Sequence, residues 1–357
     1  MSDRFTKKNP IGVGVIGLGF MGATHIRAVN AATADGLPCR LVAVCDAAPE
    51  RLTGTIGATG NIATGAGEQL FDPATVATFT DVDAILDDER VHLVIICTHT
   101  DTHVDLACRA LDAGKHVLVE KPFVLEPGEG ERLVALAEST GRTLMVGHLL
   151  RYHPYFRNLV ERVRAGELGR VHYLYSERVN LPPMREGENV LWSLAPHDVS
   201  MMCVLMESEP VEVSSTGQAF LRPGVEDVVF ATIRFANEAV GHLHASWLDH
   251  QKRRRLTVVG SKKMAVFDDM EPSEKLRIYD KGEQPSSFDP FERAAVGDIH
   301  IPAIPMIEPL SAEQQHFVDC AKSHQRPETD GKEALRVGRC LVAATESLRS
   351  GGKPVRL

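Results

Sequence analysis

A doubly wound parallel α/β half, followed by an α+β half on a large, open, mostly antiparallel sheet, is the fold class that this 357-residue sequence predicts. Three observations predict it. The length suits two cores, since globular domains usually hold about 100–200 residues. Across residues 11–148, short β-branched runs alternate with helical patterns, as in βαβ units around a sheet buried on both faces. After Arg151 the texture changes to alternating apolar and polar residues, the pattern of half-exposed antiparallel strands. The expected domains are therefore 1–150 and 151–357.

Taken in order, the strands of the first half read as GVGVIG, CRLVAVCD, VHLVIICT, HVLVEKP and TLMVGH. Between the last two, residues 128–140 carry apolar side chains at helical spacing, and Gly141 serves as a stop. Residues 54–78, rich in Gly, Ala and Thr, have too weak a period to assign. In the second half a helix is expected over about 154–165. The segments VHYLYSERVN, VEVSSTGQAFL, VVFATIRFA, AVGHLHASWL and RRLTVVGS then read as strands. Two helical patterns follow Pro309, the first with Ser311 and Gln314 at capping-box spacing.

Composition narrows the function classes. With 48 acidic against 39 basic residues the chain carries a formal charge of −9, which argues against a nucleic-acid partner, because phosphate binding needs a clustered basic surface. Seven scattered cysteines, several inside apolar runs, fit buried reduced thiols in a cytoplasmic protein better than a disulfide framework. The N-terminal basic and apolar residues imitate a secretory signal, but glycines at functional spacing interrupt the apolar run. No stretch approaches the ~18 apolar residues that a membrane helix needs, so no membrane partner is expected.

The residues Gly17-Leu18-Gly19-Phe20-Met21-Gly22 form G-x-G-x-x-G directly after a strand and at the opening of a helix. That context is the Rossmann dinucleotide fingerprint. Gly17 permits the tight turn, Gly19 lets the backbone approach a pyrophosphate, and Gly22 lets helix and strand pack closely, with Phe20 and Met21 beside the bound cofactor. Asp46 ends the second strand, where an acid can accept a hydrogen bond from a ribose 2′-hydroxyl and would repel a 2′-phosphate. NAD is therefore expected in preference to NADP, although Arg51 weakens the electrostatic argument. A turn or helix-cap role for Asp46 is the alternative.

Residues 98–122 (THTDTHVDLACRALDAGKHVLVEKP), together with the fingerprint and a later Ala-Pro-His-Asp, closely resemble the glucose–fructose oxidoreductase, inositol dehydrogenase and rhizopine-catabolism family, Gfo/Idh/MocA. The likeness covers essentially the whole chain. It implies an N-terminal Rossmann domain and a C-terminal domain whose open sheet carries substrate on one face and often a dimer or tetramer interface on the other. It also implies that Thr98, His103, Glu120, Lys121 and Arg151 lie at the cofactor, and that Lys121 reaches the reacting hydroxyl as well. The residues agree with it, since Lys121 ends a strand beside the crevice where doubly wound sheets bind ligands. Arg151 matches an arginine near cofactor or substrate, with an interdomain salt bridge as the equal alternative.

His197, in LWSLAPHD, matches the family's histidine near the reacting hydroxyl. Imidazole titrates near neutrality and suits a general base, although a lone histidine is more often a satisfied core or cap residue. Trp192 and Ser193 are its expected companions at the substrate. Many family members carry an aspartate where Ser193 stands; one helical turn from His197, serine can hydrogen-bond but supplies no charge. Asp198 reads best as a helix cap.

The segment ENVLWSLAPHD, with residues 258–282, looks like the branch that acts on nucleotide-linked sugars, such as UDP-N-acetylglucosamine 3-dehydrogenases. The expected activity is hydride transfer between NAD and a secondary alcohol of a sugar, at C3 of a UDP-linked amino sugar, with His197 and Lys121 catalytic. The alternatives are a dehydrogenase of a free sugar or inositol, and a cofactor-binding regulator without catalysis. His99 and His103 have zinc-helix spacing but lack the glutamate and third ligand, so no metal is expected. His242 and His244 share one strand face in a structural or substrate-facing role. The run 252–255 (KRRR) reads as a solvated sheet edge rather than a diphosphate site.

Overall fold

The computed structural model describes residues 6, 9–56, 67–181, 188–280 and 297–357. It divides into two compact units, Met1–Leu149 with Glu308–Gly338, and Leu150–Ile307 with Arg339–Leu357. The chain thus crosses from the first unit to the second after Leu149 and then returns. Contiguous domains of 1–150 and 151–357 take no account of that return.

In the first unit β1 (Ile11–Ile16) and β2 (Cys39–Cys45) are followed by a short pair, β3 (Thr55–Ile56) and β4 (Glu68–Gln69). Then come β5 (Ala77–Phe79), β6 (Leu93–Ile96), β7 (His116–Val119) and β8 (Leu144–Val146). The parallel sheet runs β5-β2-β1-β6-β7-β8. Strands β1, β6, β7 and β8 are buried along their whole length, which is why they read as unbroken apolar runs rather than alternations. Helices α1 (Phe20–Ala34), α2 (Val82–Asp87), α3 (His103–Asp112) and α4 (Pro127–Thr140) follow strands, as βαβ units require. Within this sheet the strand that sequence reading left unassigned is β5, three residues at the edge that bury too little to stamp a period on the sequence.

The returning segment closes the other edge. The Val146 N–H donates to the Thr329 carbonyl at 2.8 Å, and the Thr329 hydroxyl donates to the Val146 carbonyl at 2.8 Å. Backbone groups that would otherwise be unpaired beside β8 are thereby satisfied. Helix α7 (Pro309–Ser323) packs against α1. The capping box expected at Ser311 is not formed. Pro309 opens the helix two residues earlier with its φ preset, and Glu308 is the cap, accepting the Ser311 N–H at 2.7 Å.

The second unit holds α5 (Pro154–Arg164), α6 (Val190–Met206) and a sheet of β9 (Val171–Val179), β10 (Pro210–Gln218), β11 (Val228–Phe235), β12 (Val240–Ser246), β13 (Arg253–Gly260), β14 (Lys263–Asp268), β15 (Leu276–Asp280), β16 (Ile299–His300) and β17 (Val355–Arg356). Its order is β16-β15-β14-β13-β9-β12-β11-β10-β17, and among the described residues β12 pairs with β9 in parallel and the other neighbours pair antiparallel. The expected open, mostly antiparallel sheet is what forms. Helix α8 (Gly331–Arg349) starts in the first unit and ends in the second.

One face of this sheet is covered by α6, which contacts β9, β11 and β12. Leu174, Ser176 and Arg178 point toward it and are buried. The Arg178 guanidinium grips the Asp198 carboxylate through Nε and, at 3.4 Å, Nη2, with both side chains almost fully buried. Asp198 is therefore a mid-helix anchor rather than a cap. The opposite face of the sheet exposes Tyr173, Tyr175 and Phe230, and His244 stacks on Phe230 with ring centroids 4.4 Å apart. Arg253 and Arg255 also lie there, paired with Glu177 and Asp268, while Arg254 on the α6 side pairs with Asp269.

Removing one member of a buried ion pair strands the other charge, at about 3–5 kcal/mol. Arg178→Met should lower the stability of the second unit by that order in urea unfolding at neutral pH. The double variant Arg178→Met, Asp198→Leu should recover most of the loss.

Candidate active site

The turn 17–22 is built for close backbone approach. Gly17 has φ +89°, a conformation costly for any residue with a side chain, and a Cβ there would lie 2.8 Å from the Cys97 carbonyl. A Cβ on Gly22 would meet the Gly17 oxygen at 1.9 Å, so α1 can pack on the turn only because both are glycine. A Cβ on Gly19 would meet nothing within 4 Å. That open side faces the start of α1, which has no side-chain cap and no acidic residue in its first turn. Free N–H groups and the positive end of the helix dipole are what a diphosphate needs, so the residues fit a dinucleotide. Phe20 and Met21 sit half-buried at the helix start.

Asp46 is buried behind the turn. Its Oδ2 accepts from the Leu18 N–H at 2.6 Å and from Arg51 at 3.3 Å, and its Oδ1 accepts from the Ala48 N–H at 2.9 Å. It therefore braces the turn, the role offered above as the alternative. A carboxylate has about four acceptor positions, which leaves one for a ribose hydroxyl.

Thr98 lies beside the turn, its Cγ2 3.0 Å from where a Gly17 Cβ would be. Its hydroxyl accepts from Thr102 at 2.7 Å. His103, the first residue of α3, is buried, with Nδ1 2.9 Å from the Pro122 carbonyl and Nε2 3.2 Å from the Thr98 carbonyl. It ties the loop after β6 to the loop after β7. Burial pushes its imidazole below the ordinary value. Among the described residues no group of side chains is arranged to hold a metal.

Lys121 is half-buried at the carboxyl end of β7 and is joined to Pro122 by a cis peptide bond. Its N–H donates to Glu120 Oε2 at 3.1 Å. The Glu120 carboxylate turns inward, where Oε1 lies 2.8 Å from His25 Nε2, and His25 Nδ1 lies 2.7 Å from Gln314 Nε2. Burial works to raise the Glu120 pKa, yet the hydrogen bond and electrostatic attraction of His25, then the Lys121 charge, outweigh it and hold the group below the usual carboxylate range. Neither His25 nor Gln314 figured among the sequence-derived site residues. The signal available was a histidine three residues past the fingerprint, which chemistry alone does not distinguish from a core residue.

Glu313, beside Gln314, is completely buried, and neither of its carboxyl oxygens has a hydrogen-bond partner. Burial first, then Glu120 and Glu308, push its pKa well above the ordinary value; Cys97 is raised in turn by burial, Glu120 and Glu313.

The other expected site residues belong to the second unit. Arg151 is buried in the short turn Leu149–Tyr152. On α6, the Asn189 side chain accepts from the Trp192 N–H at 3.2 Å, and the Trp192 indole N–H donates to Thr345 at 3.0 Å. Ser193 is buried and His197 half-buried one turn later, on the same side of the helix. Pro196 has no N–H to donate to the Trp192 carbonyl, which leaves that oxygen without its intrahelical bond immediately before His197.

Comparison with known proteins adds three findings. The family model "Oxidoreductase family, NAD-binding Rossmann fold" matches residues 11–148, and the "GFO/IDH/MocA C-terminal domain" matches residues 156–266. A UDP-N-acetylglucosamine 3-dehydrogenase of Acidithiobacillus ferrooxidans is 28% identical over 334 residues, covering 93% of this chain and 95% of that one; its solved structure superposes with a TM-score of 0.78 at 26% identity, over 95% and 97%. The scyllo-inositol 2-dehydrogenase (NAD(+)) of Bacillus subtilis is 28% identical over 287 residues, 76% of this chain and 80% of that one.

Three outcomes are expected. Gly19→Ala should fold with an unchanged melting temperature but bind NADH at least about tenfold more weakly by fluorescence titration, whereas Gly22→Ala should lose about 1–3 kcal/mol of stability through overpacking. The raised Glu313 pKa makes wild-type stability complete below the ordinary carboxylate value of about 4.3 and progressively lower as pH rises toward the shifted one. Glu313→Gln, neutral throughout, should match wild type in thermal unfolding near pH 4 and exceed it near pH 8.

Proposed function

Because the chain belongs to the Gfo/Idh/MocA family of NAD-binding oxidoreductases, we propose that this dehydrogenase oxidises C3 of a UDP-linked amino sugar, with NAD rather than NADP as acceptor. The observation that carries the substrate reading is the near end-to-end likeness to UDP-N-acetylglucosamine 3-dehydrogenase, which spans both units. The preference for NAD rests on Asp46, whose buried carboxylate at the end of β2 would repel a 2′-phosphate.

The residues that would hold the dinucleotide are Gly17, Gly19, Phe20, Met21, Gly22 and Asp46, with Thr98, His103, Glu120, Lys121 and Arg151 toward its reactive end. Bound NAD supplies hydride acceptance at its nicotinamide. The protein supplies the rest. His197 accepts the proton of the substrate hydroxyl, a task suited to imidazole near neutral pH. The Lys121 ammonium stabilises the alkoxide charge that develops as that proton leaves. Trp192 and Ser193 orient the sugar beside His197. Serine at position 193, one helical turn before His197, can hydrogen-bond but supplies no charge.

A second reading is a free inositol or aldose as substrate, which the likeness to inositol dehydrogenases favours. Self-association as a dimer or tetramer is proposed through the face of the large sheet opposite α6. In support, that face leaves Tyr173, Tyr175 and Phe230 about 40% exposed or more, an aromatic surface suited to an interface.

Reduction of NAD and of NADP, followed by absorbance across a panel of UDP-sugars, free aldoses and inositols, tests the assignment. UDP-N-acetylglucosamine or its uronate with NAD should give the highest kcat/KM, and a preference for inositol would transfer the reading to the second. Lys121→Ala should lose turnover while retaining measurable NAD binding, and full activity in that variant would remove Lys121 from the chemistry.

A further inference from the structure

The Glu120 carboxylate can only accept hydrogen bonds, so the ring nitrogen of His25 that faces it at 2.8 Å must carry a proton. In a neutral ring the other nitrogen is then bare and needs a donor. His25 is completely buried, which excludes bulk water from that role, and the group within reach is the side-chain amide of Gln314 at 2.7 Å. With the ring in that form the donors run in one direction, from Gln314 to His25 to Glu120, and the Lys121 N–H meets the far oxygen of the same carboxylate. Each residue sits on a different part of the first unit: α7, α1 and the end of β7. Gly147 makes room for the network, since a Cβ there would come 3.0 Å from the Glu120 carboxylate.

We propose that Gln314 is a positioning residue for Lys121, acting at a distance by fixing the tautomer of His25 and, through it, the orientation of Glu120. The proposal rests on the reading of Lys121 given above. Gln314 itself touches neither substrate nor cofactor. Its type matters because an amide donates whatever the pH, whereas a carboxyl donates only while it holds its proton. Without the amide, the proton of His25 moves to Nδ1 or the ring is left with an unsatisfied nitrogen. In the first case a bare Nε2 faces the Glu120 carboxylate, lone pair against lone pair, and the anchor of the Lys121 backbone is released.

The test compares Gln314→Met, which keeps length and removes the donor, with Gln314→Glu, whose carboxyl proton, kept or passed to His25 Nδ1, leaves Nε2–H in place in either case. In the intact chain, Gln314→Met should lose at least about tenfold in kcat while KM and NADH affinity stay within about twofold, and Gln314→Glu should restore kcat to within about threefold of wild type. Nitrogen-15 spectra of histidine-labelled protein should show the neutral Nε2–H form of His25 in wild type and its loss in Gln314→Met. Wild-type kcat in Gln314→Met, an equal loss in both variants, or a His25 protonated at Nδ1 in wild type would each overturn the proposal. If Gln314→Met does not fold, Gln314→Asn, which keeps the amide but shortens its reach, carries the same comparison. Should wild type turn over no sugar at all, the activity reading fails, while the histidine spectra still decide the relay.

Discussion

A single buried carboxylate, Glu120, is the constraint around which the first unit is organised. An ionised group at 4% exposure is costly unless donors surround it, and here they come from a helix, a following backbone N–H and a neighbouring cation. Satisfying Glu120 requires His25 on α1, and satisfying His25 requires Gln314 on α7. The requirement thus reaches from the end of β7 through the helix that opens the dinucleotide turn to a helix encoded almost two hundred residues later. The same bonds that keep the carboxylate charged also fix the backbone from which Lys121 projects.

The second unit solves a related problem with different means. Helix α6 is apolar nearly all round and could slide on the sheet, because apolar contact has little directional preference. The buried Arg178–Asp198 pair fixes one point of contact and the Trp192–Thr345 hydrogen bond fixes another. Between them stand Ser193 and His197, so the side chains proposed to meet substrate are borne on the best-held stretch of the helix. Pro196 removes one i to i−4 hydrogen bond within that stretch, a local weakness that the surrounding contacts tolerate.

The central strands were legible because burial on both faces imposes continuous apolar runs, and α4 and α5 because their apolar spacing is helical. The fingerprint was legible because glycine is the one residue that its geometry admits. Strand β5 was not, since an edge strand of three residues buries too little to leave a pattern. The start of α7 was misplaced because Ser311 and Gln314 match a capping box, while Pro309 and Glu308 compete for the same role and win through the preset φ of proline. Asp198 was misread for a kindred reason: an acid after a proline looks like a cap until its partner Arg178, twenty residues away, is seen beside it.

Local chemistry therefore determined what sequence alone could reveal: the parallel and antiparallel halves, the dinucleotide turn, and the lysine and histidine proposed to act on an alcohol. The halves and the turn follow from spacing along one segment, and the lysine and histidine from the resemblance to the family. Tertiary structure decided the rest, namely that Asp46 braces the turn, that the chain returns to close the β8 edge, and that Gln314 and His25 stand behind Lys121. The physical reason is that a hydrogen bond between residues 25 and 314 depends on where two helices meet, and single-sequence periodicity carries no record of that meeting.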